Sequence, residues 1–232
     1  MRLTHDEVAR MIDLSAVKAE DTDKDVRHMV ATARAFRCVA VIPLPSMTAL
    51  AIELLEKDPL VAAGGVAGFP SGGETTRMKV AQTREMIALG CTEIDMVINI
   101  GKLLSDRRDE VRDDIRAVVQ EAGKYPVKVI LECHHLEDRK ILEGCDLAIE
   151  GGAAFVKTGT GWLPTGATLE NIALIKAHVG DAIGIKAAGG IRGLETLLEL
   201  YRRGARRFGL GWRSATRILE QVKALPSGAV EF

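Results

Sequence analysis

The chain has 232 residues, 47% of them apolar, enough to bury one full-sized hydrophobic core. Its 31 basic and 32 acidic residues carry no one-signed field of the kind that draws a protein to nucleic acid or an anionic membrane, so any anion must be held by a local site. No apolar run reaches the ~18 residues of a membrane span, and the opening MRLTHDEVARMIDLS lacks the apolar core of a secretory signal, which makes the cytoplasm the expected place.

Taken in chain order, short apolar runs alternate with longer stretches of helical periodicity. Met11 to Ser15 reads as a first strand and Val39 to Pro43 as a second, followed by a helix from Ser46 to Lys57 with Ser46 as its start signal. Gly65 to Phe69 is the third strand; the glycine-rich GVAGFPSGGE then forms a rim loop before a helix over Thr75 to Leu89. Glu93 to Ile98 and Val127 to Glu132 are the fourth and fifth, separated by a helix over Asp109 to Ala122, where Val111, Ile115, Val118 and Val119 share one face. A helix over Asp138 to Glu150 leads to the sixth strand, Ala154 to Thr158. Thr168 caps a helix over Leu169 to His178, Ile183 to Ala187 is the seventh strand, Leu194 to Arg203 a helix, and Arg207 to Gly211 the eighth strand. Eight βα units predict an α/β protein, a (β/α)8 TIM barrel spanning residues 1–232 as a single domain. No role is assigned to the final Glu231-Phe232. Cys38, Cys91, Cys133 and Cys145 are widely spaced without a C-x-x-C pair, as expected of reduced, buried thiols.

Barrel strands flanked by helices should be almost wholly apolar, so polar residues within them are the informative anomaly. Asp13, Asp95, Lys157 and Lys186 break four of the strands. Lys128 is a fifth charge, but it stands at a strand start, away from the C-terminal face where such barrels build active sites. If Lys157 and Lys186, on adjacent strands, both point inward, repulsion and desolvation favour the neutral amine on one of them. A neutral lysine attacks carbonyls, and Asp95 balances the remaining charge. That set suffices for Schiff-base aldol chemistry with no metal and no cofactor. The plainer alternative is a buried Asp95–Lys186 ion pair that fixes barrel register while Lys157 reaches the rim.

Gly189-Gly190-Ile191-Arg192 and Gly209-Leu210-Gly211 follow the seventh and eighth strands, where barrels often cradle phosphate, though glycines are equally expected in such turns. The tandem His134-His135 lacks an evident third ligand and reads as a solvent-edge pair rather than a metal site. Trp162 and Trp212 either wall the pocket or serve packing.

These motifs, Ile12-Asp13-Leu14, Gly68-Phe69-Pro70, Glu93 to Gly101 (EIDMVINIG), Phe155-Val156-Lys157-Thr158 and Lys186 to Arg192 (KAAGGIR), resemble those of the deoxyribose-phosphate aldolase family across nearly the whole chain. The resemblance implies a TIM barrel that reversibly cleaves 2-deoxy-D-ribose 5-phosphate to acetaldehyde and D-glyceraldehyde 3-phosphate. It implies Lys157 as the Schiff-base lysine, Lys186 as the lysine that perturbs it and Asp95 as the proton relay. Asp13, Ser15, Thr158, Gly189, Gly190, Gly209, Gly211, Arg192 and Arg213 follow as substrate-binding residues, with small-molecule substrates as the only partners apart from further copies in a homo-oligomer, a dimer by resemblance. The chain departs from the family pattern at Gly159, where Ser is usual, and in the turn after the eighth strand, which has Gly211-Trp212-Arg213-Ser214 where the family places phosphate-holding serines. The departures leave open an acceptor aldehyde without phosphate. A non-catalytic barrel that binds a phosphorylated metabolite is the alternative from another class.

Overall fold

The computed structural model describes residues 2–56, 58–225 and 227–231. Ten strands are formed among the described residues: β1 Arg2–Thr4, β2 Ile12–Ala16, β3 Ala40–Pro43, β4 Ala62–Ala67, β5 Glu93–Val97, β6 Val127–Ile130, β7 Phe155–Lys157, β8 Gly184–Ala188, β9 Arg207–Gly211 and β10 Ala229–Glu231. Strands β2 to β9 are parallel neighbours in sequence order and close on themselves, Asp13 of β2 lying opposite Gly209 of β9. The helices are α1 His5–Ala9, α2 Asp23–Phe36, α3 Thr48–Leu55, α4 Thr76–Leu89, α5 Ile100–Leu104, α6 Arg108–Ala122, α7 Asp138–Glu150, α8 Leu169–Val179, α9 Leu194–Arg202 and α10 Trp212–Lys223. The expected barrel and its eight strands are therefore present.

Strand parity divides the interior into two compartments, because successive side chains point to opposite faces. One parity, including Ile12, Leu14, Ile94, Met96, Val129, Val156, Phe208 and Leu210, joins the large core packed between strands and helices. A small separate cluster of Val17, Ala40, Ile42 and Val66 belongs to β3, β4 and the end of β2. Helices supply the rest of the core from one face each: α6 buries Val111, Ile115, Val118 and Ala122, and each of the three branched side chains contributes ~1.5–3 kcal/mol by leaving water. Caps set the helix starts. The Thr168 hydroxyl accepts the backbone N–H of Asn171, and Thr75 and Asn99 do the same for Met78 and Lys102.

Some expectations need correction. The third strand begins at Ala62, three residues before the Gly65 expected from the sequence. Its Ala-Ala-Gly-Gly start has little strand propensity, but Gly64 and Gly65 are required there: added Cβ atoms would come within 2.3 Å of Ile42 and 2.5 Å of Met86. The fifth strand ends at Ile130, since Glu132 takes a left-handed conformation with φ 55°. Ser46 caps nothing; it lies in a 3-10 turn, Pro45–Met47, and Met47 precedes α3 without a side-chain cap. The expected helix end at Lys57 and the terminal Phe232 lie outside the described residues. The segment around Glu231 does have a structural partner, because β10 pairs antiparallel with β1, Arg2 opposite Glu231.

Candidate active site

Asp95 on β5 is fully buried inside the barrel and gathers three amines. Its Oδ2 accepts from Lys157 Nζ and from Lys186 Nζ, each at 2.7 Å, and its Oδ1 accepts from Lys128 Nζ at 3.0 Å. Lys186 also reaches Asp13 Oδ2 at 2.6 Å, and Lys128 reaches Glu93 Oε1 at 2.8 Å. Arg207, at the start of β9, donates from Nε to Asp13 Oδ1 and from Nη2 to both oxygens of Glu93, at 3.0 and 2.9 Å. Asp13, Asp95, Lys157 and Lys186 are thus brought together as the strand pattern suggested. Lys128 belongs with them, correcting its assignment away from the site, and Glu93 and Arg207 were missed. Two-residue parity was the available signal: Glu93 shares a strand face with Asp95, and Lys128 lies opposite Asp95 in the β5–β6 register.

Burial pulls the Lys157 ammonium down to about 8, helped by the positive charges of Lys186 and Lys128 and opposed by Asp95. Burial also works against ionised Asp95, but Lys128, Lys157 and Lys186 outweigh it and hold the carboxyl well below the usual carboxylate range. Lys128 is desolvated too, yet Asp95 and Glu93 raise it above an ordinary lysine. Lys157 is therefore an amine ready to act as a nucleophile near neutral pH.

Above this floor opens a cavity of about 490 Å³ at the C-terminal end of the strands. Lys157 and Lys186 reach its base, Ile42, Val66 and Phe69 form an apolar wall, and Ser15 lines it while donating to the carbonyl of Leu210 at 3.1 Å. Gly209 is required for the geometry, since a Cβ there would lie 3.2 Å from Lys186 Cε and 2.9 Å from Ala188 Cβ. Two bonds tie the loops across the mouth: Trp162 Nε1 donates to Val17 O at 2.7 Å, and Lys18 Nζ donates to Gly161 O. Buried Glu132 holds the same loop by accepting the backbone N–H and hydroxyl of Thr160. Gly159 makes room for it, because a Cβ there would come 2.9 Å from Glu132 Oε1.

At the other end, Gly189, Gly190, Gly211, Arg192 and Arg213 line the cavity together with Trp212 and Ser214 from the first turn of α10. Gly189 and Gly190 have φ of 94° and 87°, a conformation that side chains disfavour, and Gly189 packs on the backbone of Gly166. Arg213 lies over the Trp212 ring and pairs with Asp25 at 2.7 Å, whereas Arg192 makes no ion pair among the described residues. Thr158 is not among the cavity-lining residues: its hydroxyl donates to Ala188 O and accepts from Ala188 N, pinning β7 to β8. His134 and His135 are exposed in a 3-10 turn rather than on a strand, and His134 Nδ1 bonds Thr165 Oγ1 at 2.6 Å. The four cysteines are free and buried, with burial pushing the thiols of Cys38, Cys91 and Cys145 up to about 12.

The profile of the DeoC/LacD family of aldolases matches residues 7–210. The deoxyribose-phosphate aldolase of Klebsiella pneumoniae is 44% identical over 228 residues, covering 97% of this chain and 92% of that protein. That of Methanothermobacter thermautotrophicus is 42% identical over 221 residues, covering 90% and 97%. Among solved structures, the fold is similar to a deoxyribose phosphate aldolase from Aeropyrum pernix described as tetrameric, with a TM-score of 0.87 and 27% identity, over 95% of this chain and 93% of that one.

Proposed function

Because the chain belongs to the DeoC/LacD family of aldolases, we propose that Lys157 is the amine through which it makes and breaks a carbon–carbon bond. The enzyme is a carbon–carbon lyase, and its reaction is the reversible cleavage of 2-deoxy-D-ribose 5-phosphate into acetaldehyde and D-glyceraldehyde 3-phosphate. The observation that carries the assignment of Lys157 is the sharing of one buried oxygen, Asp95 Oδ2, by two lysines at the base of the cavity.

In cleavage, unprotonated Lys157 Nζ adds to C1 of the open-chain sugar, and the carbinolamine loses water to give a protonated imine. Removal of the C3 hydroxyl proton breaks the C2–C3 bond. Its electron pair passes to the iminium nitrogen, leaving an enamine, and glyceraldehyde 3-phosphate departs. Protonation at C2 and hydrolysis of the imine release acetaldehyde and return the free amine. Asp95 and Lys186 exchange these protons, the two being already hydrogen-bonded to each other and Asp95 to Lys157. Asp13 orients Lys186, and Gly209 leaves Lys186 its space. The apolar wall of Ile42, Val66 and Phe69 suits the two-carbon donor.

Gly189, Gly190 and Gly211, with the N–H groups that open α10, suit the phosphate end, and Arg192 supplies its charge; Ser15 and Arg213 complete the substrate-facing set. Thr158 contributes by bracing β8. Among the described residues no helix is long and apolar enough to cross a membrane; we assign the enzyme to the cytoplasm. We take its assembly to be a homo-oligomer, a dimer being the simplest closed form, and sedimentation tests this. Borohydride reduction with acetaldehyde tests the nucleophile: an adduct is expected on Lys157 by mass spectrometry and none in Lys157→Ala, while an adduct elsewhere overturns the assignment.

A further inference from the structure

The ion pairs beneath the cavity form a closed circuit. Asp13 meets Lys186, Lys186 meets Asp95, Asp95 meets Lys128, Lys128 meets Glu93, Glu93 meets Arg207, and Arg207 returns to Asp13. Acid and base alternate at every step, so the ring itself is neutral. Lys186 has two carboxylate partners, as do Lys128 and Arg207. Among the described residues, Lys157 has one, Asp95, and shares the same oxygen of it with Lys186.

We propose that Arg207 is a positioning residue for the reaction: by occupying Glu93 and one oxygen of Asp13 it closes the neutral ring and leaves Lys157 as the surplus cation, the group that gives up its proton. This rests on Lys157 being the Schiff-base amine. The cations compete for a fixed set of acceptors. Three carboxylates face four cations in a largely buried space, so the fully ionised cluster carries one excess positive charge. The proton leaves where compensation is poorest, on Lys157. Without Arg207, Glu93 would serve Lys128 and Asp13 would serve Lys186 undivided; Asp95 would then be freed for Lys157, which would keep its proton. Arg207 also stands level with the two lysines, since Lys157 pairs with Lys186 and Lys186 with Arg207 in successive ladders. The other charges around Lys157 are Glu132 beyond the end of β6 and Lys18, Asp21, Arg192 and Arg213 at the mouth, the last paired with Asp25, and among the described residues none of them joins the ring.

The experiment follows borohydride trapping of acetaldehyde on Lys157 as a function of pH in the full-length enzyme, with circular dichroism as a check on folding. In Arg207→Met the midpoint should rise by about one pH unit, lowering the trapping rate at pH 7 about tenfold. Arg207→Lys keeps the charge and should restore the wild-type midpoint. The nearly isosteric Glu93→Gln removes a carboxylate and should move the midpoint the opposite way, downward. Opposite shifts support the proposal, since a purely structural role lowers trapping in both without moving either midpoint apart. If trapping on Lys157 is normal but both midpoints match wild type, the ring does not set the proton and the proposal is overturned while the Schiff-base assignment stands. Should Arg207→Met not fold, Glu93→Gln decides alone, an unchanged or raised midpoint overturning it. Absence of any Lys157 adduct in the wild type overturns both.

Discussion

Lys157 and Lys186 are direct partners in the β7–β8 ladder, and their amines converge on the same Asp95 oxygen, each at 2.7 Å. Neighbouring parallel strands lie about 4.8 Å apart, so two inward lysines at one level have nowhere else to place their charges. Backbone hydrogen bonds fix the separation of their strand positions, and the shared Asp95 oxygen gathers the two amines. The proposed nucleophile and proton carrier are therefore held in register before substrate arrives, which removes reorganisation from the chemical step.

Aldol cleavage should gain rate with pH through a midpoint of about 8, where Lys157 loses its proton. The sign follows from the amine: it attacks only when neutral, and it is neutral above its pKa. A kcat/KM profile rising over that range is expected; one that is flat between pH 6 and 9 contradicts the assignment.

Lys157→Leu should be inactive yet more stable than the wild type. The folded pKa of about 8 lies below the ordinary lysine value, so burying the ammonium penalises the folded state fully below pH 8. The penalty disappears above ~10.5, the unfolded value. Denaturant midpoints at pH 7 should show a gain on the order of 1–3 kcal/mol that shrinks as pH rises toward 10.

Gly209→Ala should cost activity more than stability. The new methyl meets Lys186 Cε at 3.2 Å and Ala188 Cβ at 2.9 Å, and the lysine stem is the more movable of the two. A displaced Lys186 loosens the bond to Asp95; a drop of roughly 10- to 100-fold in kcat is expected with a folded protein by circular dichroism.

Arg192→Gln should raise KM for deoxyribose 5-phosphate about tenfold while leaving turnover of unphosphorylated deoxyribose unchanged. Arg213→Gln should do less, because that guanidinium is already paired with Asp25 at 2.7 Å. Equal effects on both sugars would place the arginines outside the phosphate end.

The barrel was legible from its rhythm, and Asp13, Asp95, Lys157 and Lys186 were legible because a charge inside an apolar strand has no ordinary reason to be there. Lys128, Glu93 and Arg207 were not, because each sits at a strand start, where a charge reads as solvent-facing. In this barrel those starts face one another across the interior, and mutual pairing replaces water. The family resemblance counted Thr158 with substrate, yet its hydroxyl is taken up by the backbone of Ala188 and the residue does not line the cavity, a long-range pairing that no local motif announces. Arg213, in the first turn of α10, was counted with substrate, whereas Asp25 on α2, far away in sequence, already engages it.

The circuit of Asp13, Lys186, Asp95, Lys128, Glu93 and Arg207 also bears on how this enzyme changes over time. Exchanging any one member for an uncharged residue changes the charge that Lys157 has to carry, so variation that preserves the reaction must come as matched replacements that keep the balance. Diversification toward other aldehydes is then channelled to the rim, around Lys18, Trp162 and Arg192, and laboratory libraries aimed at new acceptors have most to gain by leaving the base of the barrel alone.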